Sequence, residues 1–231
     1  MLGIHFKSLP ISLLLGGLIL GGGLMISEAA EISLPKPSED GRVSVERAIK
    51  SRRTIRQFQI KPLTLSQLSQ LLWAGQGVTE GGGFGGRAAP SGGALYPLDL
   101  YAVVGKDQVA GLKPAVYQYL PERHTLLEVS PGDQRRALAK AALGQMWMAD
   151  APVILAITAE YRRITGKYGE RGIRYALIEA GHAGQNLFLQ AEALGLGAGI
   201  VGAFADEEVR SLLRCGPGRD PLLLLPVGYR R

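Results

Sequence analysis

Apolar residues recur along this chain in helical and strand-like patterns that mark out its elements. Val45, Ala48 and Ile49 keep helical spacing just ahead of Arg52. Leu65, Leu68, Leu71 and Leu72 keep it again after Thr64, and Thr64 with Gln67 three residues on forms a capping box that fixes the helix start. Gly75 is read as the stop of that helix. Continuous apolar runs from Leu98 to Val104 and from Val153 to Thr158 predict buried strands. Val116 to Leu120 and Thr125 to Val129 flank Pro121-Glu122-Arg123-His124, the pattern of a hairpin. One helix is expected over Gly132 to Met148 and the longest over Gly172 to Leu194. Strands at Ala198 to Ala203 and Leu222 to Val227 bracket a last helix begun by Asp206. Strands and helices without a strict βαβ rhythm indicate an α+β domain over residues 44–231.

The longest helix carries Ala176, Ala180, Ala183, Gly184, Leu187 and Ala191 along one side. Such a stripe permits close approach of another backbone, from the core or from a partner subunit. Residues 31–43, with Pro35, Pro37 and Ser38, read as an extended linker before the domain.

Ahead of the linker, Lys7 precedes an uncharged stretch from Ser8 to Ser27 containing Leu13-Leu14-Leu15 and Leu18-Ile19-Leu20. Ser27-Glu28-Ala29 then offers small residues of the kind a signal peptidase reads. Residues 1–30 are thus expected to be a signal peptide, or an N-terminal anchor with membrane association through residues 8–27 if the segment is retained. Lys7 on one side and Glu28 and Glu31 on the other fit export of the domain from the cytoplasm.

With 231 residues, 46% hydrophobic and 20% charged, the chain can build one substantial globular core. Its net charge of +6 is scattered in pairs such as Arg135-Arg136 and Arg162-Arg163, without a long basic run. No nucleic-acid-binding signature accompanies it, so nucleic acid is not an expected partner. Cys215 is the only cysteine, and His5, His124 and His182 stand far apart, so no metal site is expected.

The densest candidate chemistry is Arg52-Arg53-Thr54-Ile55-Arg56, where three guanidinium groups and a hydroxyl fall within five residues. A planar guanidinium suits bidentate binding of phosphate oxygens. Basic residues at a helix end also complement the helix dipole on an ordinary surface, so the cluster alone leaves both readings open. Gly77 to Gly86 is a glycine-rich loop with no Gly-Lys-Ser/Thr after it, which excludes a phosphate loop. Gly197-x-Gly199-x-x-Gly202 has the spacing of a dinucleotide fingerprint but follows a long helix, the wrong context for one. Ser91 lacks a nucleophile elbow. Glu179, His182, Gln185 and Asn186 are read first as hydrogen-bonded groups of the long helix, and Lys167-Tyr168, in the loop before it, either as a pair of proton donors or as an ordinary surface dipeptide.

Six segments stand in register from about Ser44 onward: Ser51 to Phe58, Arg87 to Pro97, Lys167 to Gly172, Glu179 to Asn186, Gly195 to Ala198, and Pro226-Val227-Gly228. Together they resemble the FMN-dependent nitroreductase family, in its SagB-type branch, which is like the thiazole-forming peptide oxidases. The resemblance implies an α+β three-layer sandwich with a mixed or antiparallel sheet and a long central helix. It also implies a homodimer with FMN at the subunit interface, and on that basis the small-residue stripe is expected at the C2 contact.

By position, Arg52, Thr54 and Arg56, with Arg53 beside them, would hold the FMN phosphate and ribityl chain. Pro90, Ser91 and Gly92 would approach the isoalloxazine from the partner subunit. Gly202 and Ala203 would present backbone N–H groups to the ring, and Arg230 would join the phosphate site. Lys167 and Tyr168 fall where relatives keep a pair near the flavin, with Tyr168 as proton acceptor and Lys167 tuning it or exchanging roles. The activity so implied is oxidation of a peptide or small organic substrate by hydride transfer to flavin N5. The alternatives are an NAD(P)H-dependent nitroreductase and a flavin-binding protein without turnover.

Overall fold

The computed structural model describes residues 31–79 and 86–231. The candidate signal segment, residues 1–30, and the tip of the glycine-rich loop, residues 80–85, lie outside the described residues. In chain order the elements are β1 (Glu31–Ser33), α1 (Val45–Ser51), α2 (Leu65–Gln76), β2 (Leu98–Val104), β3 (Ala115–Leu120), β4 (Thr125–Pro131) and α3 (Arg135–Ala141). Then follow β5 (Val153–Glu160), α4 (Arg162–Tyr168), α5 (Arg171–Ala193), β6 (Gly197–Ala198), α6 (Asp206–Leu213) and β7 (Arg219–Gly228). The strands form one sheet in the order β1-β4-β3-β2-β5-β7-β6, every neighbouring pair antiparallel.

The apolar runs of β2 and β5 follow from burial on both faces, since alternate side chains point to opposite sides of a strand. Leu98, Leu100, Ala102, Leu155 and Ile157 pack towards α2 and α5. Tyr101, Val103, Ile154 and Ala156 pack towards Leu138 of α3 and Val209 and Leu213 of α6. Helices on both faces make the three-layer α+β sandwich, and the sheet is antiparallel rather than mixed.

The small-residue stripe of α5 is not an intersubunit surface. Ala176, Ala180, Ala183, Leu187 and Ala191 are buried within the same core cluster as the sheet residues, so the chain's own sheet takes up the close approach the stripe allows. The outward face of α5 instead carries Ile173, Leu177 and Ile178, with Leu177 50% exposed and Ile178 48% exposed.

Other elements differ locally from the sequence expectation, each for a steric or pairing reason. The capping box at Thr64 and Gln67 forms, but α2 runs through Gly75 to Gln76. Gly75 is there for contact, since a Cβ at that position would stand 2.9 Å from Leu100 Cδ2. The linker begins with an edge strand, β1, paired with β4, and Leu34 and Pro35 are then tied down. Leu34 N–H donates to His124 O at 3.1 Å, and His124 Nε2 lies 2.9 Å from Pro35 O and 2.8 Å from Ser69 Oγ. The expected helix from Gly132 to Met148 is split: Leu143 (φ 55) and Gly144 (φ 74) turn left-handed after α3, and a 3₁₀ turn over Met146–Asp150 follows. The strand expected over Ala198 to Ala203 reduces to β6 and one bridge from Val201 to Leu224. Asp206 is the first residue of α6, with Ala205 before it as N-cap. Lys167 and Tyr168 end a short helix, α4, rather than lying in a loop.

Replacing Ala183 with Trp should therefore destabilise the protomer itself, by about 1–3 kcal/mol or more in urea unfolding, because overpacking a full core forces strained side chains and backbone shifts. An unchanged midpoint together with a loss of self-association would return the stripe to the surface.

Candidate active site

The sequence-predicted residues gather into two clusters, one at each end of α5. At its C-terminal end, the arginine turn is fastened to β6. Thr54 forms a parallel bridge with Ala198, and Ile55 N–H donates to Ala198 O at 2.8 Å. The Arg52 guanidinium lies 5.3 Å from the centre of the Phe188 ring, and that of Arg56 lies 5.8 Å from the Trp147 ring. Among the described residues none of Arg52, Arg53 and Arg56 enters an ion pair. Arg53 Nη1 turns back to Lys50 O at 2.9 Å and Arg52 O at 2.8 Å. Arg230 is engaged as well: its Nε donates to Leu196 O at 3.1 Å, and its guanidinium pairs with Glu192. Gly202 and Ala203 lie exposed beyond β6.

The second cluster lies towards the N-terminal end of α5. Here the loop entering β2 contains Pro90, Ser91 and Gly92, and Pro90 is exposed. Gly92 N–H donates to Glu179 Oε1 at 2.8 Å, and Tyr96 N–H donates to Ser91 Oγ at 2.9 Å. Gly93 is left-handed (φ 65), and a Cβ on it would stand 2.7 Å from Tyr168 Oη and 3.0 Å from Lys167 Nζ. Both polar atoms of the predicted pair are thus laid against the backbone of this turn. The Tyr168 ring meets Tyr175 edge-on at 5.2 Å.

Burial fixes the electrostatics of this cluster. Desolvation pushes the Glu179 carboxyl above the usual carboxylate range, while the Gly92 N–H, the Ser91 hydroxyl and nearby His182 pull the other way. His182 itself is exposed. Asn186, about one turn further on, donates to Ala74 O at 3.1 Å and Ala88 O at 3.0 Å, tying α2 and the approach to the loop onto α5. Sequence reasoning placed Glu179 and Asn186 correctly as hydrogen-bonded groups but missed their partners. It also missed Arg163, whose Nη1 reaches Tyr96 O at 3.3 Å from the first turn of α4. A lone carboxylate among the alanines of a buried stripe was the available signal.

A cavity of about 880 Å³ opens elsewhere, between α1, α2, α5 and the arm before α1, lined by Arg42, Gln70, Trp73, Asn186 and Gln190 among others. None of the predicted site residues lines it, and Gln70 is used in holding the arm through Ser38 N and Ser38 O.

With this geometry in place, comparison with known proteins is direct. The model of the nitroreductase family matches residues 49–229. The nitroreductase-like protein MJ1384 of Methanocaldococcus jannaschii is 43% identical over 205 residues, covering 89% of this chain and 99% of that one. The trifolitoxin-processing protein TfxB of Rhizobium leguminosarum bv. trifolii is 32% identical over 136 residues, 57% of this chain and 36% of that protein. Among solved structures, a nitroreductase-like protein from Ralstonia eutropha superposes with a TM-score of 0.75 at 27% identity, covering 87% of this chain and 90% of its own. The arginine turn, the glycine turn and the C-terminal strand all fall inside the matched span, and the chain belongs to the nitroreductase family.

Proposed function

We propose that this chain is an FMN-dependent oxidoreductase of the SagB type, acting as a homodimer on a peptide or small organic substrate. The observation that carries the reading is the meeting of Lys167 Nζ and Tyr168 Oη with the turn at Gly93, two segments far apart in sequence. The likeness to a protein named for trifolitoxin processing supports the peptide-modifying branch.

The donor set fits FMN. Arg52, Thr54 and Arg56 offer a hydroxyl and two guanidinium groups without ion-pair partners among the described residues, suited to a terminal phosphate. Exposed backbone at Gly202 and Ala203 suits the polar edge of a flavin ring, where fixed N–H dipoles stabilise negative charge. When bound, FMN supplies a hydride acceptor at N5. Tyr168 Oη, with Lys167 beside it, takes the proton that accompanies the hydride. If residues 1–30 direct export, reduced nicotinamide is scarce where the domain works, which favours an organic donor. The likeness to MJ1384, named as a nitroreductase, favours the nitroreductase alternative instead, and anaerobic reduction with an organic donor and with NAD(P)H separates the two.

The spacing of the clusters supports the reading of a site shared between subunits. Phe188 beneath Arg52 lies nine residues after Glu179, roughly 13 Å along the helix at ~1.5 Å per residue, so one protomer presents two separated half-sites. Ile173, Leu177 and Ile178 on α5, and Val45 and Ile49 on α1, are exposed apolar side chains on which a second copy can dock and join them.

Three outcomes are expected. The purified protein should be yellow and release FMN on denaturation, and Arg52→Ala should weaken FMN binding by about 1.5–3 kcal/mol, measured by quenching of flavin fluorescence. Unchanged affinity would remove Arg52 from the site. Leu177→Glu should give a monomer by light scattering and lose FMN with it; a monomer fully loaded with FMN would end the shared-site reading. Tyr168→Phe and Lys167→Ala should keep FMN but slow anaerobic flavin reduction by roughly 10²–10⁴-fold. Reduction at the wild-type rate in both would leave the pair as surface groups.

A further inference from the structure

Glu179 is the single charged side chain on the buried side of α5, where its neighbours are glycine, alanine, leucine and phenylalanine. It is 4% exposed and enters no ion pair among the described residues. A buried carboxylate without a cation is unfavourable unless hydrogen bonds satisfy its oxygens. Its hydrogen-bond partner is the Gly92 N–H at 2.8 Å, in the turn that lies against Lys167 and Tyr168.

That turn is strained. Gly93, Ala94 and Tyr96 all have left-handed backbones, with φ of 65, 54 and 45. Two of the three carry a Cβ, which disfavours this region, so such a conformation persists only where its surroundings over-determine it. Glu179 holds the start of the turn. Arg163 holds its end through Tyr96 O, and Arg163 is itself fixed by Asp99 in a bidentate pair at 2.8 and 3.0 Å. Between them, Ser91 Oγ accepts from Tyr96 N–H and closes the loop on itself.

We infer that Glu179 is a positioning residue, whose carboxylate clamps the Ser91–Tyr96 turn onto α5 and so sets Gly93 against Tyr168 Oη and Lys167 Nζ. With the clamp open, the left-handed residues relax and the turn leaves the pair. The clamp is a property of the free chain, and only its effect on rate rests on the oxidoreductase reading.

Hydrogen exchange of the flavin-free protein, followed by mass spectrometry, tests the clamp. Glu179→Leu should speed exchange of the amides of residues 91–96 about tenfold or more, while those of β2 and β5 stay as in the wild type. Glu179→Gln keeps an acceptor oxygen for Gly92 N–H and should remain within about threefold of the wild type; Ser91→Ala, losing the acceptor that closes the turn on Tyr96 N–H, should fall between. In FMN-loaded protein, anaerobic flavin reduction should slow in the same order, with Glu179→Gln recovering most of the rate. Wild-type exchange in both Glu179→Leu and Ser91→Ala would overturn the clamp, as would a Gln variant that behaves like Leu. Faster exchange with an unchanged reduction rate would overturn the positioning role. Should Glu179→Leu fail to fold, Ser91→Ala and Glu179→Gln carry the same test. If no donor reduces the flavin in any form, exchange alone decides, so the clamp can stand while the oxidoreductase reading falls.

Discussion

The close seating of α5 on the sheet is the contact on which the rest of this structure depends. Alanines at positions 176, 180, 183 and 191 leave room for the helix to lie directly on the apolar face formed by β2, β5 and β7. A bulkier stripe would lift the helix and with it every group the helix fixes. Because packed interiors are nearly as dense as crystals, such a contact transmits position rather than absorbing it. The loop before β2 hangs from α5 through Glu179, and α2 and the loop's approach through Asn186. The arginine turn rests on it through Phe188 and, by way of β6, at its C-terminal end.

This arrangement separates two tasks. The C-terminal end of α5 gathers cations that suit a phosphate, next to exposed backbone beyond β6. The N-terminal end gathers Lys167 and Tyr168 against a strained turn, anchored by Glu179 on one side and by the Asp99–Arg163 pair on the other. Asp99 also binds Arg219 at 2.9 Å, so the anchor of α4 is tied to β2 and β7 together. In the proposed dimer, each complete site draws one task from each subunit, and neither half is reactive alone.

Much of this was legible in the sequence, and the misses have physical causes. The strands of the sheet centre read clearly because burial on both faces demands continuous apolar runs, and the capping box read clearly because it is local. Helix α4 was missed because Ile164 is its only buried residue, which leaves no apolar period to detect. Strand β1 is three residues long, too short for alternation to register. The break after α3 rests on left-handed Leu143, a conformation leucine does not advertise. The stripe on α5 was legible as a close-contact surface, but small residues fit a sheet and a partner subunit equally well, so spacing alone could not say which. The candidate site residues were read from motifs, whereas the bond from Glu179 to Gly92 spans the fold and leaves only a solitary buried acid as its trace.

The central claim, that each site is assembled from the arginine turn of one subunit and the Lys167–Tyr168 half of the other, is tested most directly by subunit complementation. Arg52→Ala and Tyr168→Phe protomers are unfolded, mixed in equal amounts, refolded together and assayed with the donor that reduces the wild type, at an FMN concentration that leaves the Arg52→Ala homodimer largely empty. A shared site places both intact halves together in one of the two sites of every mixed dimer, so about one quarter of wild-type activity should return, as expected for random pairing under twofold symmetry. No recovery, with mixed dimers demonstrated by mass spectrometry, would place each site within a single chain and contradict the account.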